Sequence, residues 1–309
     1  MNLFLFYTKA YGYTHNYRGI PVWVLTPIRR LIRNNATRRL PKYFAKHPAD
    51  INRTRQEDVV VSFTSFPARI GYVYMTVESL LRQTALPGRI ILWLSKEQFP
   101  TEETVPEHLK KLQNEVFQIR YVDGDIRSHK KYYYSFQEFP EKKVITVDDD
   151  MIYPPRLVEE LLSVSQICPD CVVANVVHKL TYSNGVLNNY RQWGESRPYD
   201  KIDNVQIGYG GVLYPPHVMF EDCLKLELSQ KLAPSVDDLW LNAMARLQGT
   251  CVVKTPNKKS FLPIVIPENQ TLTSVNVGQN RNDMQLNQIR AYYASTEFGD
   301  PYCKKAEIE

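Results

Sequence analysis

The sequence predicts an α/β fold with a mostly parallel sheet and helices on both faces, and three observations carry that expectation. Short apolar, β-branched runs recur at 59–64, 90–94, 118–122 and 144–147, continuous rather than alternating, as strands buried on both faces read. Stretches with helical spacing separate them, so strand and helix alternate along the chain. Three consecutive carboxylates, Asp148, Asp149 and Asp150, follow the fourth run, at the strand end where open α/β sheets hold their ligands.

Taken in order, residues 1–57 form a basic, partly apolar extension. They carry eleven Lys and Arg against Asp50 and Glu57, a local charge of +9 in a chain of net +5, so the rest of the chain is mildly acidic. Val22, Trp23, Val24, Leu25, Ile28, Leu31 and Ile32 are interleaved with Arg29, Arg30, Arg33, Arg38 and Arg39. Such a segment suits the interface of an anionic membrane; it equally suits an extension packed on the body with its arginines in water. The apolar run 20–28 is about half the roughly 20 residues that cross a bilayer, and the start of the chain lacks the pattern of a secretory signal. Five cysteines, an odd number without framework spacing, predict reduced thiols and a cytoplasmic location. Cys168 and Cys171 have C-x-x-C spacing, but no second pair completes a zinc site.

The main domain runs from 58 to 309. The strand at 59–64, the turn at 65–70, a helix with Val73, Val77, Leu80 and Leu81 on one face, and the strand at 90–94 make a β-α-β unit. A helix at 106–114, a strand at 118–122 and a tyrosine-rich helix at 129–139 lead to the strand at 144–147. Tyr153, Pro154 and Pro155 halt that strand, and 156–165 reads as a helix. Beyond it lie a strand at 172–177, a polar loop at 183–201 and a glycine-interrupted strand at 207–214, whose glycines predict close approach of another backbone or a ligand. Ser235 is placed to cap a helix that carries Asp237 and Asp238 in its first turn, where the macrodipole favours acids. A last helix covers 282–294. Neither a G-x-G-x-x-G dinucleotide fingerprint after the first strand nor a P-loop occurs, so any nucleotide is held by other means.

Three adjacent acids repel one another and cannot be buried unpaired; they call for water or a hard divalent cation. In an extended segment Asp148 and Asp150 face one side and Asp149 the other, so the outer two can share one ion. A solvated acidic loop would account for the same letters.

Five ordered blocks together resemble a nucleotide-sugar-dependent glycosyltransferase of the GT-A fold, of the kind found in bacterial capsule and O-antigen biosynthesis. They are Val-Ser-Phe-Thr-Ser-Phe-Pro-Ala-Arg-Ile at 61–70, Arg-Ser-His-Lys-Lys-Tyr-Tyr-Tyr at 127–134, Val-Asp-Asp-Asp-Met-Ile-Tyr-Pro-Pro at 147–155, the Gly210-Gly211 strand, and Asp-Asp-Leu-Trp at 237–240. The resemblance implies a Rossmann-like sheet with a donor half at about 58–153 and an irregular acceptor half at about 154–309. It implies Mn²⁺ or Mg²⁺ on Asp150 and, more loosely, Asp148, bridging the diphosphate of a nucleotide diphosphate sugar. Asp148 and Asp149 would also address the donor, with Thr64 and Ser65 near its base or ribose, and Arg69, Arg127 and Lys130 near its phosphates; Lys131 could add charge there. An inverting transfer needs a base, which the resemblance places at Asp238 or Asp237. Because the motif is Asp-Asp-Asp, either the first two or the outer two carboxylates can serve the metal. Trp193, Tyr209 and Trp240 are candidate sugar platforms or core residues, and His178 and His217 are left outside the site.

The expected activity is therefore transfer of a sugar to a saccharide or polyprenyl-linked acceptor in surface polysaccharide biosynthesis, on the cytoplasmic side and peripheral to the membrane. Clustered carboxylates also suit a metal-dependent nucleotidyl- or phosphotransferase. A third reading is a non-catalytic protein whose basic arm grips nucleic acid. The body lacks an aromatic platform interleaved with cations, so no nucleic acid partner is expected.

Overall fold

The computed structural model describes residues 2–17, 19–256, 261–266 and 280–304. Two helices come first, α1 (Leu3–Asn16) and α2 (Val22–Lys46). Then β1 (Arg55–Thr64), α3 (Val73–Leu81), β2 (Leu86–Ser95), the single turn α4 (Glu107–Lys110), β3 (Phe117–Val122), α5 (Lys130–Glu138) and β4 (Lys143–Thr146) alternate as expected. The acidic run follows β4 as a turn, and β5 (Met151–Ile152) leads into α6 (Leu157–Ile167).

The second half begins with β6 (Val172–Ala174) and β7 (Val177–Lys179), which the sequence reads as one strand. The region read as a polar loop holds the short strands β8 (Tyr182–Ser183), β9 (Val186–Leu187) and β10 (Gly194–Glu195). After β11 (Asn204–Gln206) a 3-10 turn at Gly208–Gly210 breaks the expected glycine strand, leaving only β12 (Val212–Tyr214). Gly211 lies at φ +81°, a backbone that extended pairing cannot continue through. Then come α7 (Leu226–Leu232), α8 (Asp237–Gln248), β13 (Val252–Lys254), β14 (Leu262–Pro263) and α9 (Arg281–Ala294).

Seven strands form the central sheet in the order β13, β6, β12, β4, β1, β2, β3, and β12 alone runs against the rest. Alternate residues of β1 serve two cores. Val59, Val61 and Phe63 pack with Val73, Val77 and Leu80 of α3, whereas Val60 joins Ile91 and Trp93 beneath Tyr134 and Phe139, on the α5 side. Helices on both faces explain why these strands are apolar throughout. The α5 side also carries a polar clamp: Trp93 Nε1 donates toward Ser62 and Ser135, and the Ser62 hydroxyl donates to the Lys131 carbonyl at 2.5 Å. That clamp fixes the start of α5 over β1.

The expectation of reduced cysteines is overturned for one pair. Cys171 and Cys251 are disulfide-bonded, at Cα–Cα 5.1 Å, immediately before the paired strands β6 and β13, whose register sets Val172 beside Val252. Eighty residues separate the two in sequence, so only the sheet brings them together. Cys168 and Cys223 are buried free thiols.

The basic extension packs on the body. Phe4, Tyr7 and Tyr11 of α1 and Ala36, Leu40 and Phe44 of α2 form a separate core with Met75, Ile152, Leu262 and Ile264. Leu40 is fully buried there. Leu40→Ala should cost about 2–5 kcal/mol and lower the midpoint of a single chemical-denaturation transition; a separate early transition would show instead that the helices unfold independently of the sheet.

Candidate active site

A cleft of about 600 Å³ opens at the carboxyl ends of β1 and β4, and it is lined by Thr64, Ser65, Arg69, Arg127, Lys130, Asp148, Asp149, Asp150, Asp237 and Asp238, the residues expected to bind donor, hold metal or act as base. Its position follows from register. Ser62 of β1 pairs with Thr146 of β4, so the turns that begin three residues later bring Ser65 and Asp149 together. The Ser65 hydroxyl donates to Asp149 Oδ2 at 2.5 Å. Arg69, from the same turn, places Nη1 2.8 Å from Asp149 Oδ1 and 3.0 Å from Asp150 Oδ2. Burial alone would lower the Arg69 guanidinium, but Asp149 and Asp150 outweigh it and raise it.

The acidic run is a turn rather than an extended segment, so the expected alternation of Asp148 and Asp150 on one side does not apply. The carboxylates are divided between two buried cations instead. Asp149, 5% exposed, is engaged by Ser65 and Arg69 and tilts inward. Asp148 pairs with Lys131, whose Nζ lies 3.1 Å from Asp148 Oδ1 and 2.8 Å from Asp237 Oδ2. The Asp148 backbone N–H donates to the Tyr153 hydroxyl at 2.8 Å, and Tyr153 donates to the Tyr209 carbonyl at 3.1 Å.

Both lysines were expected near the donor phosphates; the structure ties Lys131 to the carboxylates instead. Lys130 is buried, at 1% exposure, and is bound to Asp125, which also accepts from Gln98 at 2.7 Å and from the Arg127 backbone N–H at 3.0 Å. It braces the turn on which Arg127, at φ 53°, stands exposed at the cleft rim. Adjacent helical residues point about 100° apart. Two consecutive lysines thus meet different neighbours, and the letters do not say which faces the acids. The Thr64 hydroxyl likewise donates to the Trp93 carbonyl at 2.8 Å and holds the strand end.

The first turn of α8 supplies the opposite wall. Ser235 does not cap it: Val236 holds that position without a side-chain bond, and Ser235 exchanges hydrogen bonds with Gln285 of α9. Burial pushes the Asp237 carboxyl up, but the Lys131 ammonium outweighs it and holds Asp237 below the ordinary range. Asp238 accepts from the Gly208 N–H at 2.9 Å; burial and Asp237 push its carboxyl up to about 7. Burial, then Asp149 and Asp148, raises Asp150 to about 7 as well. A Cβ on Gly208 would lie 2.9 Å from Asp238 Oδ1 and 3.1 Å from Lys131 Nζ, so a side chain there would displace these groups. His129 is fully buried; its Nε2 meets the Ala233 carbonyl at 2.7 Å, so that nitrogen carries the proton and Nδ1 accepts from Tyr132.

The sequence reading missed Tyr190, Arg281 and Asn282, which line the cleft from the second half. Asp283 of α9 accepts the Tyr190 backbone N–H at 2.7 Å and so joins the two segments. Among the proposed sugar platforms Trp240 is fully buried and Trp193 is 8% exposed, so both serve the core. Tyr209 is half-buried.

A divalent cation has a chemically suitable seat but no ready cage: among the described residues no three Asp, Glu, His or Cys side chains converge as ligands. What the cleft offers is oxygen donors on Asp150 and Asp148, whose side chains stay 26% and 35% exposed. Five carboxylates at 148–150, 237 and 238 face the two buried cations Arg69 and Lys131, so their charge is incompletely balanced, which favours a hard cation.

No family model and no curated protein matches this sequence. Among solved structures the chain is similar to S. aureus TarS 1-349 in complex with UDP, at 12% identity and TM-score 0.48, covering 77% of this chain and 66% of that one. It is similar to the mannosyltransferase PcManGT from Pyrobaculum calidifontis in complex with GDP-Man and Mn²⁺, at 11% identity and TM-score 0.49, covering 97% and 79%. A longer S. aureus TarS structure aligns at 12% identity and TM-score 0.45, covering 77% and 40%, so the chain spans well under half of that protein.

Because Asp150 and Asp238 bind protons more tightly folded than unfolded, they favour the folded state at low pH. That contribution is lost as pH rises from the ordinary carboxylate range through about 7. Without divalent cation, the melting temperature should fall between pH 5 and pH 8, and Asp150→Asn and Asp238→Asn should each flatten the fall. An equal slope in both variants would mean that neither group is responsible.

Proposed function

We propose that this chain is a metal-dependent glycosyltransferase that moves a sugar from a nucleotide diphosphate sugar to a hydroxyl of a saccharide or polyprenyl-linked acceptor, with inversion. The observation that carries the reading is the cleft itself. Two part-open carboxylates, Asp150 and Asp148, line it at the ends of the parallel strands, and Asp238, balanced near neutrality, lines it from the start of α8. Four of the five sequence blocks supply residues to its walls. A role in surface polysaccharide biosynthesis and a cytoplasmic, membrane-peripheral location belong to the same proposal and rest on that resemblance and on the basic extension.

Asp150 and Asp148 would hold Mn²⁺ or Mg²⁺, which when bound neutralises charge on the leaving diphosphate. Arg127 and Arg281 line the cleft and add positive charge for the same phosphates. Arg69, fixed against Asp149, stiffens the acidic turn rather than reaching outward. Asp238 accepts the acceptor hydroxyl's proton while the new bond from that oxygen to the anomeric carbon forms and the bond to the diphosphate breaks. A carboxyl raised to about 7 is a stronger base than an ordinary one and is still ionised above neutrality. Lys131 keeps Asp237 ionised, and the charge of Asp237 helps to raise Asp238.

Calorimetry with nucleotide diphosphates should find one that binds in Mn²⁺ or Mg²⁺ and is lost in Asp150→Ala. Asp238→Asn should retain that binding while transfer falls by at least about 100-fold, the scale of a lost general base. Wild-type kcat/KM should rise with pH through about 7. Nucleotide binding that ignores both metal and Asp150 would overturn the proposal. Label moving from the nucleotide's phosphate instead of its sugar would make the protein a phosphotransferase.

A further inference from the structure

We infer that α1 and α2 form a docking surface for an anionic phospholipid membrane, with the first turns of α2 entering the headgroup layer. The inner faces of these helices are used in the core with Met75, Ile152 and Leu262, so what remains outside is not a folding remnant. It is apolar where it should be polar. Trp23 is 77% exposed, Val22 65% and Leu31 62%, with Ile20 and Ile28 beside them in sequence and also exposed. Soluble surfaces do carry single exposed apolar residues, but not a tryptophan and three or four aliphatics within a dozen positions.

The cations complete the pattern. Trp23, Pro27 and Leu31 recur at four-residue spacing, and Arg30, Asn34 and Arg38 recur at the same spacing on the same outward side of α2. Arg39, Lys42 and Lys46 follow on exposed positions toward its C-terminal end. Residues 1–46 contain nine Lys and Arg and no Asp or Glu. An aromatic and aliphatic patch joined to a basic stripe fits a surface that is apolar below and anionic above, which is the chemistry of an acidic lipid leaflet. Nucleic acid would use the cations but leave the Trp23, Val22 and Leu31 patch in water. No described helix is long and apolar enough to cross a bilayer.

The surface is wired to the cleft. Arg33 Nε donates to the Pro263 carbonyl at 3.3 Å, and the Val265 N–H donates to Thr37 Oγ1 at 3.1 Å. The neighbouring Ile264 N–H donates to the Asp150 carbonyl at 2.8 Å. One short segment, 263–265, thus touches both α2 and the acidic turn, so docking would hold the cleft at a fixed place relative to the lipid. The inference does not depend on the proposed reaction, and its test reads binding alone.

The full chain should float with vesicles of phosphatidylcholine containing phosphatidylglycerol, and much less with phosphatidylcholine alone. Trp93, Trp193 and Trp240 are buried, so a vesicle-induced blue shift of tryptophan fluorescence would report Trp23 and should vanish in Trp23→Phe. Arg30→Ala and Arg38→Ala should each weaken binding about fivefold. Trp23→Ala with Leu31→Ala should abolish flotation while the melting temperature stays at the wild-type value, since both side chains are exposed. Absence of flotation on acidic vesicles, or flotation indifferent to the Trp23 and Leu31 changes, would overturn the inference. Salt-sensitive binding of an RNA oligonucleotide without vesicle binding would assign the cations to nucleic acid instead.

Discussion

The division of three adjacent carboxylates between two buried cations is the constraint on which the cleft depends. Asp148, Asp149 and Asp150 cannot share a turn inside a protein unless their charge is met, and Arg69 and Lys131 come from two different elements to meet it. Arg69 arrives from the turn after β1, Lys131 from the first turn of α5, and the strand order sets both beside β4. Removing either would leave a buried carboxylate uncompensated, a loss usually worth about 3–5 kcal/mol, more than the pair itself contributes against a well-packed apolar alternative. Stability is therefore a poor explanation for keeping so many charges here. A site that must present charge to a ligand is a better one.

Lys131 also couples the two walls. It touches Asp148 on the β4 side and Asp237 on the α8 side, and the Gly208 turn packs closely against it. Asp237 and Asp238 are neighbours with opposite behaviour because only Asp237 is in ion-pair contact with the ammonium. One acid is held ionised, and its charge helps to raise the other toward neutrality. Two carboxyls driven apart in this way are what acid–base chemistry at neutral pH requires.

Much of the sheet was legible because buried parallel strands leave a plain signature: continuous β-branched runs ending in turn residues. The acidic turn and the start of α8 stood out because clustered like charges are costly without a purpose. What escaped has a common cause, namely dependence on contacts distant in sequence. Lys131 turns to Asp148 and Asp237 while Lys130 turns to Asp125 because of where Ser62 clamps α5. Cys171 meets Cys251 only because β13 lies beside β6. Tyr190 and Arg281 reach the cleft from segments whose letters show no strong periodicity. The glycine at 208 points to a backbone or a ligand close by, yet the approaching groups are side chains of Asp238 and Lys131, which no local pattern reveals.

The N-terminal helices bear on the same site from outside. Their arginines fall into two groups by what they touch. Arg33 and Arg29 are spent on carbonyls of Pro263 and Thr14, so they tie the helices to the body and to each other. Arg30, Arg38 and Arg39 stand exposed on a segment that contains no acid to pair with them. Water alone can solvate such charges, but it gives no reason for setting Trp23 and Leu31 among them. The backbone of 263–265 links that face to the cleft, because it bonds to α2 on one side and to Asp150 on the other. A partner that orders the outer face of α2 would therefore bear directly on the acidic turn.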